Sequence, residues 1–453
     1  MAKAKSNSKK ITLEESLVPV EEQPYEVPEN WCWVKHNSIL DISGGSQPAK
    51  SHFITEPREG YTQLYQTRDY GEHPIPVYIP NKYATKTTCE GDILLARYGG
   101  SLGKVFRAHD GAYNVALTKV IKIYPELIDD EFLYKYYLSQ FYQNFCIKAS
   151  NGRSAQAGFN RDDMNSLPFP LPPLAEQKRI VDQIESLFSK LDEANEKAQE
   201  VIDRIETNIE AILYNAFSGK LTQYWRKENG VDYNWEKSTL SKIVSGLKYG
   251  SSEKSDYNNN GTPVLRIPNI GEGVIDFSDL KYMQGEFENS SHEVFENDIL
   301  IIRSNGSRDL VGKCAIVPAL ERRFAYASFL IRIKASDKVL PNYLVRYINS
   351  SMARGQLFAK AKSSSGIHNI NSKELGSIRI DVPTIEEQTE ILKIIEPLIK
   401  KELAVKNITS HMIENIAELK KSILTKAFRG ELGTNVSLEK SSIELLKKTI
   451  EEG

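Results

Sequence analysis

The chain has 453 residues, too many for one hydrophobic core and suited to two or three domains. Its 40% apolar and 26% charged residues exclude a wholly disordered or fibrous protein. No apolar run reaches the roughly 18 residues of a membrane helix and no apolar core follows the basic start, so we expect neither a membrane span nor a signal peptide. The four cysteines are scattered without a CxxC pair, which argues against disulfides or a zinc site and indicates a reducing cytoplasm.

Positive charge is unevenly distributed along the chain, although the net charge is only −2. Residues 303–379 contain 14 lysines and arginines against 4 acidic residues, and residues 97–161 contain 9 against 5. Ordinary solvated surface accounts for such regions, and so do two surfaces that face a polyanion. Both interpretations stay open on charge alone.

The chain also repeats itself with a period of slightly more than two hundred residues. The matching pieces are Glu176-Gln177 and Glu387-Gln388, Phe217 to Leu221 and Phe428 to Leu432, Gly91 to Leu95 and Asn297 to Ile301, and Trp33 and Trp235. The first two matches are 211 residues apart, the third 206 and the last 202. Because loops accept insertions and a rigid element does not, the drifting part is predicted to be globular and the constant part rigid.

Apolar residues spaced alternately by four and three predict two long helices with a coiled-coil seam. In the first helix we assign the seam to Ile180, Ile184, Leu187, Leu191, Val201 and Ile205. In the second helix we assign it to Ile391, Ile395, Leu398, Met412, Ile416 and Ile423. Helices packed on each other are favoured, and two helices buried in separate domains are the alternative.

The ends of these helices carry recognisable signals. Thr384 with Glu387 predicts a capping box at the start of the second helix. Gly219 and Gly430 follow the two helices and are suited to cap their carboxyl ends. Pro397 costs about 3 kcal/mol inside a helix, so a kink or a late start is expected there.

The two globular parts, 31–170 and 235–383, mix short β-rich runs with helical stretches, which predicts an α+β fold. Two segments within them look like phosphate-binding loops. Gly99 to Lys104 is one residue too short for such a loop and Gly306 to Lys313 one too long, so a turn between strands is the better interpretation. None of the seven histidines has a metal or catalytic partner at a telling spacing, and we expect no enzymatic activity, no metal and no cofactor in this chain.

Arginine, lysine, asparagine and glutamine concentrate in matching loops of both copies, and these residue types contact phosphates and base edges. In the first copy the candidate DNA-binding residues are Arg97, Tyr98, Lys104, Arg107, Asn151, Arg153 and Gln156. In the second copy they are Arg303, Asn305, Arg308, Lys313, Lys360, Lys362, Ser364, His368 and Asn369. Each alone is ordinary surface; their concentration in both copies raises the weight of the DNA-binding interpretation.

The segment Leu171-Pro-Pro-Leu-Ala-Glu-Gln-Lys-Arg-Ile-Val181 resembles the hallmark of the specificity subunit of type I restriction-modification systems. In that family it ends a globular domain and begins a long helix. Val382 to Gln388 is a weaker version of it, and Phe217 to Leu221 and Gly91 to Leu95 are similar to the family as well. The resemblance covers nearly the whole chain in the family's order.

The resemblance implies two α+β target-recognition domains separated by two long antiparallel coiled-coil helices, in a pseudo-twofold internal repeat. The implied parts are an N-terminal segment 1–30, a first target-recognition domain 31–170, a central helix 171–219, a linker 220–234, a second target-recognition domain 235–383, a distal helix 384–430 and a C-terminal tail 431–453. Because the tail follows the distal helix as 221–231 follows the central one, we expect the two ends of the chain to lie together.

The resemblance also implies the function and the partners. Each domain would read one half of a bipartite, gapped site in double-stranded DNA, and the helices would act as a spacer. They would dock two modification subunits that carry an S-adenosylmethionine-dependent methyltransferase. Restriction subunits would add translocation and cleavage with ATP and Mg. A helix of about 44 residues is about 66 Å long, roughly two turns of B-DNA, which suits a gapped site.

Two other functions compete with this one. A coiled-coil scaffold without a DNA role predicts no salt-sensitive retention on DNA, whereas phosphate-bound complexes weaken steeply with salt. An enzyme with an unrecognised site is disfavoured because no acids, bases or nucleophiles cluster in the sequence.

Overall fold

The computed structural model describes residues 11–151, 158–284, 292–360, 362–364 and 366–452. They fall into two compact units, each considered by itself below. Unit 1 comprises the chain up to Lys197 and again from Met412, and unit 2 comprises Ala198 to His411. Across the described ranges, no helix is long and apolar enough to cross a membrane.

The helices, in chain order, are α1 Leu13–Ser16, α2 His36–Ile39, α3 Asp130–Leu138, α4 Gln140–Asn151, α5 Arg161–Asn165, α6 Leu174–Phe217, α7 Gln223–Glu228, α8 Leu240–Ile243, α9 Pro341–Asn349, α10 Ser351–Lys360, α11 Ser372–Gly376, α12 Ile385–Phe428 and α13 Ser442–Glu452. The strands are β1 Cys32–Lys35, β2 Leu40–Gly44, β3 Tyr61–Tyr65, β4 Tyr78–Pro80, β5 Thr87–Thr88, β6 Ile93–Ala96, β7 Val105–Arg107, β8 Gly111–Tyr113, β9 Leu117–Lys122, β10 Pro168–Leu171, β11 Glu236–Thr239, β12 Val244–Tyr249, β13 Ser255–Asp256, β14 Thr262–Leu265, β15 Gly273–Val274, β16 Lys281–Met283, β17 Ile299–Ile302, β18 Ser304–Asn305, β19 Cys314–Ile316, β20 Ala325–Tyr326, β21 Leu330–Ala335, β22 Lys362–Ser364, β23 Ile367–Asn369 and β24 Arg379–Val382.

Unit 1 is built on an antiparallel sheet in the order β2-β9-β6-β7 and a second sheet in the order β4-β3-β8-β5. In the second sheet β3 and β8 run parallel, with Leu64 opposite Ala112. Strand β6 reads Ile-Leu-Leu-Ala and is buried along its whole length, as expected for the centre of a sheet covered on both faces. The predicted α+β class is confirmed here.

Unit 2 repeats this plan with additions. Its main sheet has the order β12-β21-β17-β19-β15, and its second sheet the order β13-β16-β14-β20, in which β14 and β20 run parallel. Strand β17 is the buried counterpart of β6. Unit 2 also contains a three-stranded sheet in the order β18-β23-β22, and at the matching place in unit 1 an antiparallel bridge joins Tyr98 and Gly158. The duplication predicted from the sequence is therefore present in the structure.

In each copy an antiparallel strand pair closes the domain beside the start of the long helix. These pairs are β1 with β10 in unit 1 and β11 with β24 in unit 2. The core of unit 1 packs Phe132, Tyr136 and Phe169 against the end of α12, and the core of unit 2 packs Tyr343 and Tyr347 against the end of α6. Each recognition domain thus shares its hydrophobic core with both long helices.

The two long helices have 44 residues each and run antiparallel inside each unit. In unit 1 the ammonium of Lys420 pairs with Asp192. In unit 2 Lys406 donates to Glu206 at 2.9 Å, and Asn208 donates to Glu402 at 3.3 Å. The prediction that the two long helices pack on each other is confirmed, and the alternative of two helices buried in separate domains is not supported by these contacts.

The predicted seam holds at the helix ends and fails in the middle. Ile180, Ile184, Ile205, Ile391, Ile395 and Ile416 are buried, and Leu187, Leu191 and Ile423 are half-buried. The assignments of Val201, Leu398 and Met412 were wrong, because these side chains are 39%, 42% and 48% exposed.

The physical reason is a shift of the helical phase by one residue. In α6, buried or half-buried residues stand at 180, 184, 188, 191, 195, 198, 202 and 205, and in α12 at 391, 395, 399, 402, 406, 409, 413 and 416, so each set begins with two steps of four. The 211-residue offset relates these two sets. Consecutive steps of four residues form a stutter, which moves the seam from Val201 to Ile202. Ile399, buried with 2% exposure, replaces Leu398 in the same way.

The predicted helix ends are partly right. Gly219 and Gly430 follow the helices with φ of 72° at both, the left-handed conformation that a glycine cap supplies. Helix α12 starts at Ile385 and passes through the exposed Pro397, so the late start was wrong. Thr384 does accept from the backbone N–H of Glu387 at 3.3 Å. The Glu387 carboxylate turns into the core of unit 2 instead of completing the capping box.

The two ends of the described chain meet inside unit 1, as predicted. The Asn30 side chain donates to the carbonyl of Val436 at 3.2 Å, and the backbone carbonyl of Asn30 accepts from the Ser442 backbone N–H at 3.0 Å. Arg179 of α6 forms two 2.8 Å hydrogen bonds with Glu439 of the tail. The described residues 11–30 and 429–452 therefore belong to the fold of unit 1.

Candidate nucleic-acid interface

Arg97 and Arg303 hold equivalent places at the exits of β6 and β17. The backbone N–H of Arg97 donates to Ala116, and that of Arg303 to Phe329, at 3.0 and 2.9 Å. Their carbonyls accept from the N–H groups of Phe159 and Ile370, at 3.1 and 2.8 Å. The same backbone pairing in both copies shows that the two arginines are counterparts in the repeat.

Lys104 and Lys313 are also counterparts, at the entrance of the returning strands β7 and β19. The Lys104 carbonyl accepts from the N–H of Ala96, and the Lys313 carbonyl from that of Ile302, both at 2.9 Å. Each lysine follows a glycine with φ near +85°, 82° at Gly103 and 88° at Gly312. Both segments that look like phosphate-binding loops are thus turns between strands, as predicted from their lengths.

The surroundings of the two arginines differ between the copies. In both arginines the Nε is buried without a hydrogen-bond partner among the described residues, but the guanidinium of Arg97 lies 5.5 Å from the ring centroid of Tyr98. The guanidinium of Arg303 packs 4.8 Å over the Tyr249 ring and donates to the Ser328 carbonyl and the Asn369 side chain, each at 3.3 Å. Equivalent cations are therefore held by different neighbours.

The three-stranded sheet β18-β23-β22 of unit 2 brings together candidate DNA-binding residues that lie about sixty residues apart in sequence. Strand β18 pairs with β23, placing Asn305 opposite His368 and Ser304 opposite Asn369. Strand β22, which contains Lys362 and Ser364, pairs with the other edge of β23. The side chains of Lys362 and Ser364 lie outside the described part of the structure, but their backbone places both in this sheet.

The remaining candidates fall into different settings. Arg308 is exposed, with its guanidinium 5.0 Å from the Phe358 ring. Asn151 and Lys360 are exposed at the ends of α4 and α10. Arg153 and Gln156 lie outside the described residues. Their DNA contacts, like those of the other candidates, stay predictions.

Arg107 has an intramolecular role that its sequence position did not reveal. Its guanidinium lies 2.5 Å from a Glu131 carboxylate oxygen, donates to the Gly91 carbonyl at 3.0 Å and packs 4.2 Å over the Tyr134 ring. These contacts join β7 to α3. Of the candidates, it is the one whose charge is neutralised by a carboxylate among the described residues, so it fits a structural role better than DNA contact.

Tyr249 is a site residue that the sequence did not indicate. Besides packing under Arg303, its hydroxyl accepts from the Ser372 backbone N–H at 2.8 Å. It thereby connects the exit of β12 to the start of α11. No local pattern distinguishes this tyrosine from the other 21 in the chain, so only its position in the fold reveals it.

The Glu-Gln pairs at the helix starts fix each recognition domain to its helix. Gln177 accepts from the N–H of Asp129 at 2.9 Å, and Gln388 accepts from that of Leu340 at 2.8 Å. In both copies the same amide also donates to two backbone carbonyls. A buried glutamine with these bonds admits one orientation, so the domain is positioned by its helix in the same way twice.

Each glutamate that precedes these glutamines accepts a hydrogen bond from a tryptophan. The indole N–H of Trp31 donates to Glu176 at 2.7 Å, and that of Trp235 donates to Glu387 at 2.9 Å. Trp31, rather than Trp33, is therefore the counterpart of Trp235, and the match of Trp33 was wrong. The indole N–H of Trp33 donates instead to the backbone carbonyl of Tyr25.

The family model for the type I restriction modification DNA specificity domain matches residues 28–204 and 233–415, once in each copy. The chain belongs to this family. The specificity-domain match covers both recognition domains together with most of both long helices. It decides between the functions that the sequence left open, in favour of DNA recognition and against a scaffold without a DNA role.

Two relatives of known family are similar to this chain over almost their full length. The type I restriction enzyme EcoKI specificity subunit of Escherichia coli strain K12 is 28% identical over 93% of this chain and 95% of its own. The MjaVIII specificity subunit of Methanocaldococcus jannaschii is 25% identical over 90% and 94%. A chain in a solved structure of a type I R-M system is 21% identical, with a TM-score of 0.67 over 90% of this chain and all of that one, and shows the same fold.

Within the described residues, no group of three or more histidine, cysteine, aspartate or glutamate side chains could hold a metal ion. Burial raises the pKa of the Cys32 and Cys146 thiols to about 11, away from the reactive thiolate range. The candidate interface is thus a set of polar and cationic loops on two α+β domains.

Proposed function

We propose that the chain is the non-catalytic DNA-recognition subunit of a type I restriction-modification complex. Unit 1 reads one half of a bipartite, gapped site in double-stranded DNA, and unit 2 reads the other. The long helices α6 and α12 set the gap and dock two modification subunits. Restriction subunits join the same complex.

One observation carries this proposal: two copies of one fold present equivalent cations beside loops that differ. The strands, turns, glutamines and tryptophans correspond between the units, down to individual hydrogen bonds. The polar loops do not correspond in length, since six residues separate Arg97 from Lys104 and nine separate Arg303 from Lys313. A duplicated frame with different loops is suited to one task performed on two different sequences.

Catalysis is assigned to the partner subunits. S-adenosylmethionine would be bound by the modification subunits, and ATP and Mg by the restriction subunits. This chain would contribute the choice of the site, through phosphate contacts that position each domain and base contacts that specify the sequence. The large, partly polar surfaces of its loops are suited to that division of work.

The test is methylation sequencing of a host genome that lacks other adenine methylation. The full chain, produced together with an adenine methyltransferase subunit of its own system, should methylate a gapped motif with two different halves. The methyltransferase subunit alone and the chain alone are the controls, and both should leave the genome unmodified. Methylation by the purified chain alone, or a motif without a gap, would contradict the proposal.

A further inference from the structure

Two cations recur at equivalent places in the two units, and together they frame a loop that differs between the units. Arg97 and Lys104 stand at the two ends of the β6–β7 turn, and Arg303 and Lys313 at the two ends of the β17–β19 turn. The chain between them comprises 98–103 in unit 1 and 304–312 in unit 2. The ends of the turn are therefore constant in position and charge, while its middle differs in length and sequence.

The charge of these four side chains is not balanced locally. Among the described residues, no carboxylate lies within ion-pair distance of Arg97, Lys104, Arg303 or Lys313. The neighbouring Arg107 behaves differently, because it is paired with Glu131. Its position in the strand corresponds to Ile316, opposite Ile299 as Arg107 is opposite Ile93. Arg107, which has a structural partner, thus has no cationic counterpart in unit 2. The arginine and the lysine without ion-pair partners among the described residues recur in both units.

Different half-sites require that the residues reading bases differ between the units. A residue that is the same in both units suits the part of DNA that is the same in both half-sites, which is the phosphodiester backbone. Lysine binds phosphate as a point charge, and arginine binds it through a fork of donors. The exposed Lys104 and half-exposed Lys313 stand at the mouths of these turns.

We infer that Arg97 with Lys104, and Arg303 with Lys313, form a phosphate clamp in each unit that binds the DNA backbone regardless of sequence. The six- and nine-residue segments between them are then carried to the base edges and supply the specificity. The inference rests on the proposed function. Charge and residue type alone would allow these four residues to read bases. The inference assigns them instead to positioning the domain on the DNA backbone.

The test measures salt dependence and sequence choice in the same set of variants. The complex of the full chain with its modification subunit is bound to a duplex carrying its methylated motif, at salt concentrations from about 50 to 200 mM. The variants are Lys104→Gln, Lys313→Gln and both together. Lys237→Gln removes the same charge from an exposed side chain of β11, outside the turns and the long helices, and is the matched control.

Each lysine that contacts phosphate should change the slope of log affinity against log salt by about 0.9, because about 0.9 counterions are released per contact. The advantage of the wild type over a single variant should therefore shrink about 3.5-fold across that salt range. The methylated motif should stay the same in both halves, and Lys237→Gln should behave as the wild type. Arg97→Lys and Arg303→Lys, which keep the charge, should also keep the motif.

Two results would overturn the inference while leaving the proposed function intact. One is an altered half-site with an unchanged slope, which would make the lysine a base reader. The other is unchanged affinity and slope in the double variant, which would place the turns away from DNA. Absence of salt-sensitive DNA binding by the wild-type complex would instead contradict the proposed function itself.

Discussion

Arg226 and Glu387 form a buried ion pair in unit 2, whereas the equivalent Glu176 in unit 1 is hydrogen-bonded to neutral side chains. The guanidinium of Arg226 donates to the Glu387 carboxylate and to the Gly219 carbonyl. Thr222 adds a 2.6 Å hydrogen bond to the same carboxylate oxygen. In unit 1 the buried Glu176 accepts from neutral donors, Trp31 and Asn435. The predicted linker 220–234 is thus part of the packed structure of unit 2.

This difference predicts unequal effects of the same substitution in the two copies. Glu387→Gln leaves the Arg226 charge buried without a counter-charge, which should cost about 3–5 kcal/mol. Glu176→Gln keeps its neutral hydrogen bonds and should change the stability of unit 1 by less than about 1 kcal/mol at neutral pH. Hydrogen exchange of peptides from each unit separates the two effects. Equal losses in both variants would contradict the assigned partners.

The pH dependence of Glu176 follows from its burial, which raises the pKa of this carboxyl above its usual value. The folded state then holds the proton more tightly than the unfolded chain does. Unit 1 should therefore gain stability as the pH falls from above the raised pKa towards 4.5. In Glu176→Gln this gain should disappear, because the amide cannot titrate.

The burial of His36 predicts that the stability of unit 1 decreases in acid. Burial lowers the pKa of His36 to about 3, and its Nε2 lies 2.8 Å from the Tyr137 hydroxyl. Because the unfolded chain takes up the proton first, the stability is complete above pH 6.5 and is lost as the pH falls towards 3, by about 1.4 kcal/mol per pH unit.

The second copy supplies the control for this site. Leu240 and Ile348 hold the places of His36 and Tyr137, since Leu240 donates its backbone N–H to Ile378 as His36 does to Leu167. The double variant His36→Leu with Tyr137→Ile should keep the fold and lose the contribution of His36 to the acid sensitivity. Unfolding of unit 1, followed by hydrogen exchange at pH 7 and pH 4.5, measures it. An unchanged pH dependence would mean that other groups dominate.

The shifted seam predicts opposite results at two adjacent residues of α12. Ile399→Ala should destabilise unit 2 by about 2–4 kcal/mol, because a buried side chain leaves a cavity. Leu398→Ala should cost less than about 1 kcal/mol, because that side chain is 42% exposed. Chemical unfolding of the two variants compares them directly. A larger loss at Leu398 would restore the register predicted from the sequence.

The sequence predicts those features that follow from period and residue type. It gives both long helices, their glycine caps, the α+β class and the meeting of the two ends. The phase of the seam is less accessible, because Val201 and Ile202 are both apolar and either can follow Ala198 on one face. The choice is made by the partner helix, where the stutter recurs at the matching positions.

The candidate site is predictable only in outline, for a similar reason. Charge and polarity indicate the loops, but the offset between the copies changes from 204 at Trp31 and Trp235 to 206 at Arg97 and Arg303 and 209 at Lys104 and Lys313. A drifting offset conceals which residues correspond. Hydrogen bonds between distant segments identify the counterparts, and these bonds exist only in the folded chain.

In unit 2, we predict that the exposed tip of the loop 304–312 and the sheet β18-β23-β22 contact the bases. Arg308→Ala and His368→Ala should alter or relax the half-site read by unit 2, at a cost of about 1–3 kcal/mol per lost base contact. The other half-site should not change, because the substitutions lie in unit 2 alone. Methylation sequencing of each variant measures the outcome. A change in the half-site read by unit 1 would contradict the division of labour between the units.

The central claim, that α6 and α12 set the gap between two independent readers, is tested most directly by lengthening both helices. Four residues are inserted after Lys197 and four after His411, the places where the two units divide. The insertion shifts the seam as the existing stutter does, so apolar contact is largely kept. It adds about 6 Å and a rotation of about 40° to each helix.

The measurement is the motif methylated by this variant in a whole genome, at reduced temperature to offset lost stability. Base pairs are about 3.4 Å apart along the duplex, so the account predicts two unchanged half-sites with a gap longer by one or two base pairs. Retained methylation with an unchanged gap would contradict it, because something other than these helices would then set the spacing.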